Sequence, residues 1–236
     1  FSLTYQQAMI KIFTKIRENL LFEGKIGKYL KYAIGEIILI VFGILIALSI
    51  DNWNQSINRE MAEKEFIEGV KKDLELDKEY IEIILKHLNP KIDAYSILDK
   101  ELTMLKNKDK NSVDSLFRKY FLSQRTFYPI SGSFQAAIAG NEINGFKNKK
   151  LTRGIIKLYD STYDRLVDNG KITDERWEYL IRKHSHVRRT GNYRNLNETQ
   201  ISELMDDMYY HFAQMIFYKD QLNNTILEID SILNWP

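Results

Sequence analysis

The sequence predicts an all-α protein: one transmembrane helix followed by an elongated antiparallel helical bundle. Three observations predict it. Tyr32–Ile50 is almost wholly apolar, and nothing else in the chain matches it. Only three prolines (Pro90, Pro129, Pro236) occur in 236 residues. The long charged runs after residue 53 repeat their apolar residues at helical and heptad spacing, and no stretch alternates as a half-buried strand does.

The apolar stretch gives roughly 28 Å of helix, close to the ~30 Å hydrocarbon core of a bilayer. Glu36 interrupts it one turn from its start, leaving Ile37–Leu48 free of polar side chains. Tyr32 and Trp53 bracket the stretch as interfacial rings do, with Lys28 and Lys31 at the entry end. The run is too far from the start for a cleavable signal peptide, and no small-residue cleavage site follows it. Lys11, Lys15, Arg17, Lys25, Lys28 and Lys31 precede the span, whereas only Arg59 and Lys64 follow within twenty residues. This bias predicts the N-terminus inside and the large C-terminal part outside. The net charge of +2 adds nothing to that local signal.

The expected organisation is a cytoplasmic segment at 1–31, a transmembrane helix at 32–53 and a helical periplasmic domain at 54–236. Within the first segment, residues 9–22 read as an amphipathic helix with Ile12, Phe13, Ile16 and Leu20 on one face. Lys11, Lys15 and Arg17 flank that face, so the helix is expected on an anionic lipid surface. Gly24 and Gly27 allow the elbow into the span. Phe1–Ala8 precedes Met9, a residue suited to a natural start.

Beyond the span, residues 54–88 read as one long helix. Ile67, Leu74, Ile81 and Leu88 recur every seven residues, with Val70 and Ile84 as partners and Asp77 breaking the partner series. At the far end Ile201, Met208, Met215, Leu222 and Ile229 recur likewise, partnered by Met205, Phe212, Lys219, Ile226 and Leu233. Two such helices suggest an antiparallel pair that returns Trp235 to the membrane surface near Trp53. Shorter helices are expected near 91–106, 112–124, 133–140, 148–168 and 172–186. Pro90 begins the first of these, Ser112 and Ser133 act as N-caps, and Asn169-Gly170 is a stop. Asn107–Asn111 is a polar linker. Arg125–Phe134, with Pro129 and Gly132, is a fixed loop, expected more as a packing plug than as a contact surface.

The chemistry-bearing residues are few. Glu36, Gly43 and Ala47 share a helical face, and Gly43-xxx-Ala47 is a small-xxx-small pair. Close approach there would gather copies of Glu36 around an oligomer axis, lining a pore mouth; pairing of Glu36 with Lys28 or Lys31 is the plainer alternative. Arg182, Lys183, Arg188, Arg189 and Arg194 could hold phosphate, an acidic partner or headgroups, or could simply complement helix C-termini. Lys11, Lys15, Arg17, Lys28, Lys31, Tyr32, Trp53 and Trp235 are the expected interface anchors. The absence of cysteine excludes disulfides, zinc–thiolate sites and cysteine nucleophiles. His184-Ser-His186 has no carboxylate or cysteine close in sequence, so no metal site is expected. His87 and His211 sit near the heptad seams as boundary residues. No phosphate loop, dinucleotide fingerprint or Ser–His–acid order is present. The expectation is a non-enzyme without cofactor, bound to membrane lipids and to further copies of itself. An envelope protein partner is possible; nucleic acid is not expected.

The segments Met9–Arg17, Gly27-Lys-Tyr-Leu-Lys-Tyr-Ala-Ile-Gly-Glu-Ile37, Gly43–Leu48 and Asn52-Trp-Asn54 resemble a family of uncharacterised bacterial single-pass membrane proteins. Phe127–Phe134 and Asn148–Tyr159 are similar more loosely. The resemblance implies a basic N-terminal helix, a helical extramembrane domain and a bacterial inner-membrane location, and it carries no activity. Ser49 departs from the larger polar residue, such as glutamine, expected there. The predicted function is therefore a membrane-anchored scaffold or accessory component of the envelope. A small oligomeric ion channel with Glu36 near the pore and a periplasmic ligand-sensing module are the rivals.

Overall fold

The computed structural model describes residues 11, 14, 15, 18, 26–108 and 110–235. The basic segment expected at 9–22 lies outside the described residues, except for exposed Lys11, Thr14, Lys15 and Glu18. Every described element is helical: α1 (Ile26–Lys108), α2 (Lys110–Tyr120), α3 (Gly132–Ala139), α4 (Lys149–Lys157), α5 (Asp164–Lys183), α6 (Ser185–Thr190) and α7 (Glu198–Leu233). Short 3-10 turns occur at Ile143–Gly145 and Tyr193–Asn195, and a π-helical turn at Leu158–Tyr163 joins α4 to α5. The chain divides into two compact units, Phe1–Arg59 and Glu60–Pro236.

In the first unit, α1 exposes apolar side chains on all sides: Ile37, Leu39, Phe42, Ile46 and Ile50 are all more than half exposed. Besides Glu36, Ser49 is polar there, and its hydroxyl donates to Leu45 O (2.7 Å), which satisfies it within the helix.

The second unit is an antiparallel bundle whose first and last helices carry the heptads. Lys78 Nζ meets Asp230 Oδ1 at 2.6 Å and Lys71 Nζ donates to Trp235 O at 3.3 Å. Further along, Tyr95 stacks on Phe212 with ring centroids 4.4 Å apart. Rising numbers on α1 thus meet falling numbers on α7. The α7 seam differs from the expected partner series. Leu204, His211, Tyr218, Thr225 and Ile232 are buried beside Ile201, Met208, Met215, Leu222 and Ile229, while Met205, Phe212, Lys219, Ile226 and Leu233 are half-buried. A helix with more than one neighbour buries a stripe wider than a two-position seam, and the i+3 rather than the i+4 residues take its centre.

Pro90 does not begin a helix; it lies inside α1. An internal proline costs about 3 kcal/mol by removing a backbone donor and crowding the preceding turn. Burial of Ile92, Ala94, Tyr95 and Leu98, continuing the face of Ile84 and Leu88, outweighs that cost. Asn169-Gly170 does not stop a helix either, since α5 runs through it. A Cβ on Gly170 would lie 2.5 Å from Thr126 Cγ2 and 3.1 Å from Tyr218 Oη, so glycine is there for close approach. The helix expected to begin at 172 therefore has no start there, and Thr173 and Asp174 are interior to α5. Ser112 is likewise interior to α2, and Ser131, not Ser133, precedes α3, without a side-chain cap. The described residues of the expected linker at 107–111 are helical, 107–108 closing α1 and 110–111 opening α2, so the linker marks only the boundary between the two helices.

Candidate functional site

The apolar part of α1 is the first candidate. Among the described residues one helix is long and apolar enough to cross a membrane, near the N-terminus, and none of its most apolar window is buried. Glu36, Gly43 and Ala47 are exposed on it, and a Cβ built on Gly43 would meet nothing within 4 Å. Among the described residues Glu36 makes no ion pair. Lys31, Tyr32 and Trp53 are also exposed. Trp235, by contrast, ends α7 against Lys71, and Lys150 Nζ lies 5.1 Å from its ring centroid.

The basic cluster is drawn into ion pairs rather than gathered around a pocket. Arg182 pairs with Glu178 (3.3 Å), and Lys183 reaches both Glu203 and Asp207 at 2.8 Å. The Asp207 and Glu203 bonds hold the Lys183 ammonium above its ordinary pKa. His184 Nε2 also meets Asp207 (2.7 Å). Arg194 donates its backbone N–H to Asp114 (3.0 Å) and its guanidinium to Asn111 (2.8 Å). Arg188 and Arg189 remain exposed in the last turn of α6, before Gly191, whose φ of 68° closes the helix. Among the described residues, no group of three or more His, Asp or Glu side chains could hold a metal ion.

The densest polar chemistry is internal. Along α1 every seventh residue of one series is buried: Glu63, Val70, Asp77, Ile84, Lys91 and Leu98. Charged and apolar residues alternate in it, and each charged member binds the chain that crosses it. Glu63 accepts from Lys147 N and Asn148 N, both at 2.7 Å. Asp77 Oδ1 accepts from Ile130 N at 2.9 Å. Lys91 Nζ donates to Leu122 O (3.1 Å) and Gln124 Oε1 (3.0 Å) and stands 3.7 Å from the Trp177 ring centroid.

The segment at 122–131, between α2 and α3, is held by these groups. Residues 123–130 make no backbone–backbone hydrogen bond, so side chains must satisfy the buried polar backbone. Besides Asp77 and Lys91, Tyr80 donates to Thr126 O (3.2 Å), Tyr159 donates to Ile130 O (3.2 Å) and Phe127 N donates to Tyr218 Oη (2.9 Å). Thr126 Oγ1 donates to Asp174. Phe127 is fully buried, 5.2 Å from Tyr163 and 6.4 Å from Tyr80 between ring centroids. The segment is a packing strap, as the sequence indicated, although Tyr128 and Ile130 face solvent.

Electrostatics at its two ends are opposed. Burial pushes the Asp77 carboxyl up to about 6, against the Ile130 N–H and the Tyr163 hydroxyl and with help from Asp73. Asp77 Oδ2 and the Tyr163 hydroxyl are both buried, and each is the other's polar neighbour. Burial lowers Lys91 to about 7, with Asp174 opposing and Arg188 adding to the shift. His211, fully buried on α7, is held well below its ordinary value by burial, then by Lys91 and Arg176. The Tyr120 hydroxyl donates to Met208 O (2.8 Å), so its 2.9 Å contact with His211 Nδ1 is donated by the imidazole. That tautomer leaves Nε2 as a bare, unpartnered acceptor.

Sequence reasoning had no signal for the strap's anchors beyond Asp77, which it read as a flaw in a seam. The fourteen-residue recurrence of Glu63, Asp77 and Lys91, every second member of one heptad series, was present in the sequence. His211 was placed near a seam but not in the core.

The architecture defines an all-α chain with a long apolar N-terminal helix, able by length and composition to cross a membrane, followed by a helical domain. The chain belongs to the Family of unknown function (DUF6090), whose model matches residues 36–220, most of its length. No curated protein and no solved structure matches it.

Proposed function

We propose that this chain is a single-pass protein of a bacterial inner membrane, N-terminus cytoplasmic and helical domain periplasmic. It serves there as a homo-oligomeric scaffold or accessory component of the envelope rather than as an enzyme. One observation carries the reading: the Tyr32–Ile50 part of α1 presents large apolar side chains around its whole circumference, with no protein covering them. In water such a surface is untenable, whereas lipid satisfies it at no cost. The basic bias before the stretch supports the orientation. The open face at Gly43 and Ala47 supports close approach of a second copy. Lys31, Tyr32 and Trp53 supply the interfacial anchors, and further contacts are to an envelope partner.

Native mass spectrometry of the complex gently extracted from its membrane tests the reading. A discrete multiple of the chain mass supports the scaffold. A monomer, or a complex with different chains only, sinks self-assembly and makes this an accessory subunit. Orientation is tested separately: a cysteine introduced at Asn107 in this cysteine-free chain reacts with an impermeant thiol reagent in spheroplasts. Protection there reverses the topology.

A further inference from the structure

We propose that the 122–131 strap is a lid that opens from the folded domain most readily near neutral pH, and that it tightens on either side of neutrality. The strap lacks backbone–backbone hydrogen bonds over 123–130 and is fastened to α1 at its two ends by buried groups of opposite sign. Lys91, 1% exposed, holds Leu122 and Gln124, while Asp77, 1% exposed, holds Ile130. Neither has a direct ion-pair partner among the described residues, so at neutral pH both ends keep a charge out of water. Lifting the strap hydrates both charges and uncovers the slot of Phe127.

The groups facing each end fix the direction. Toward Lys91 lie Asp174 of α5, Arg188 of α6 and His211 of α7, with Arg176 of α5 acting on His211. Toward Asp77 lie Asp73 of α1 and Tyr159 and Tyr163 of the π-helical turn. Burial is the largest influence on both ends, outweighing the bonds each makes to the strap. Raising the pH above about 7 removes the Lys91 charge in the closed form and so favours closure. Lowering it below about 6 neutralises Asp77 in the closed form and so favours closure as well. Asp174, raised by burial and bonded to Thr126, acts in the same sense as Asp77. Opening is therefore easiest between the two values.

Hydrogen exchange on the full chain in lipid nanodiscs tests the lid, with rates corrected for intrinsic pH dependence. Peptides covering 122–131 are expected to be least protected near pH 6.5, about tenfold more protected at pH about 5 and up to about a hundredfold more protected at pH about 9. Peptides covering 208–222 of α7 serve as the reference and are expected not to follow. Lys91→Met should abolish the gain on the basic side, and Asp77→Asn should reduce the gain on the acid side to the share that Asp174 carries. A flat or monotonic profile for the strap in the unmodified protein overturns the proposal, whether or not either variant folds. A profile that α7 shares with the strap overturns it too, because the whole domain is then opening.

Discussion

Gly170 shows how a single missing methyl can decide where a strap lies. Alanine at an interior helix position is favoured over glycine by about 1 kcal/mol. Here the added Cβ would press on Thr126 Cγ2, and overpacking a tight site costs about 1–3 kcal/mol. Gly170→Ala is therefore expected to lower stability, and Thr126→Ser, which deletes the obstructing methyl but keeps the hydroxyl on Asp174, to restore most of the loss. Denaturant midpoints of the single and double variants measure this coupling. His211 gives a pH prediction. Its imidazole titrates below the ordinary value in the folded state, so the unfolded chain takes up the proton first. Stability from this group is fully present above about 6.5 and is lost as pH falls toward the depressed folded value. Replacing His211 with Gln is expected to flatten that acid limb in denaturant titrations run at successive pH values. Glu63 carries a third case. Its carboxylate accepts two backbone N–H groups at the start of α4, and hydrogen bonds to a charged group contribute about 1.5–3 kcal/mol each. Glu63→Ala should cost several kcal/mol and show as a lower thermal midpoint.

At the level of whole elements, α7 owes its sharp start to Asn197. Its side chain accepts from Gln200 N (2.8 Å), and the Gln200 side chain accepts in return from Asn197 N (3.1 Å). Asn197→Ala is expected to cost about 1 kcal/mol and to fray the first turn in exchange measurements. The every-seventh apolar residues of α1 and α7 and the boundary between α1 and α2 were legible in the sequence, whereas the Asn-x-x-Gln spacing of this reciprocal cap was present in it and passed over. The course of α1 through Pro90 was not. Local chemistry argues for a boundary there, and only the burial of Ile92, Tyr95 and Leu98 against the rest of the bundle argues for continuation. That information resides in tertiary contacts with residues more than a hundred positions away. Gly170 misled for the same reason, since the neighbours that require a glycine come from 126 and 218.

On the scale of the molecule, the sequence made the helical architecture plain, and the exposure of the apolar part of α1 adds what its composition leaves open, since a buried core helix can be equally apolar. Exposed apolar residues on every side of α1 at 32–50 and a seven-residue stripe on its later part are two different solvents written into one helix. Val41→Arg places a charge near the middle of the stretch, where insertion scales charge about 2.5–3.5 kcal/mol. It is expected to shift the chain from the membrane pellet to the soluble or degraded fraction after carbonate extraction. The candidate sites were less legible. The cations at 182–194 drew attention by their density, yet Lys183 and Arg194 find their counter-ions on other helices, α7 and α2, and Arg182 finds its own one turn away. The buried polar groups of α1 sat inside a pattern that reads, residue by residue, as imperfect.

The alternation along Glu63, Val70, Asp77, Ile84, Lys91 and Leu98 also acts as a vernier on α1. A coiled-coil face of uniform leucines could slide by one heptad, ~10 Å, and repack almost unchanged. Here a slide of that size would set Val70, Ile84 and Leu98 opposite backbone groups that need hydrogen bonds, and would bury three charges against apolar walls. A slide of two heptads would bring a carboxylate to the carbonyls that Lys91 now serves. Only one axial setting satisfies all three contacts, so the helix is indexed along its length as well as packed across it.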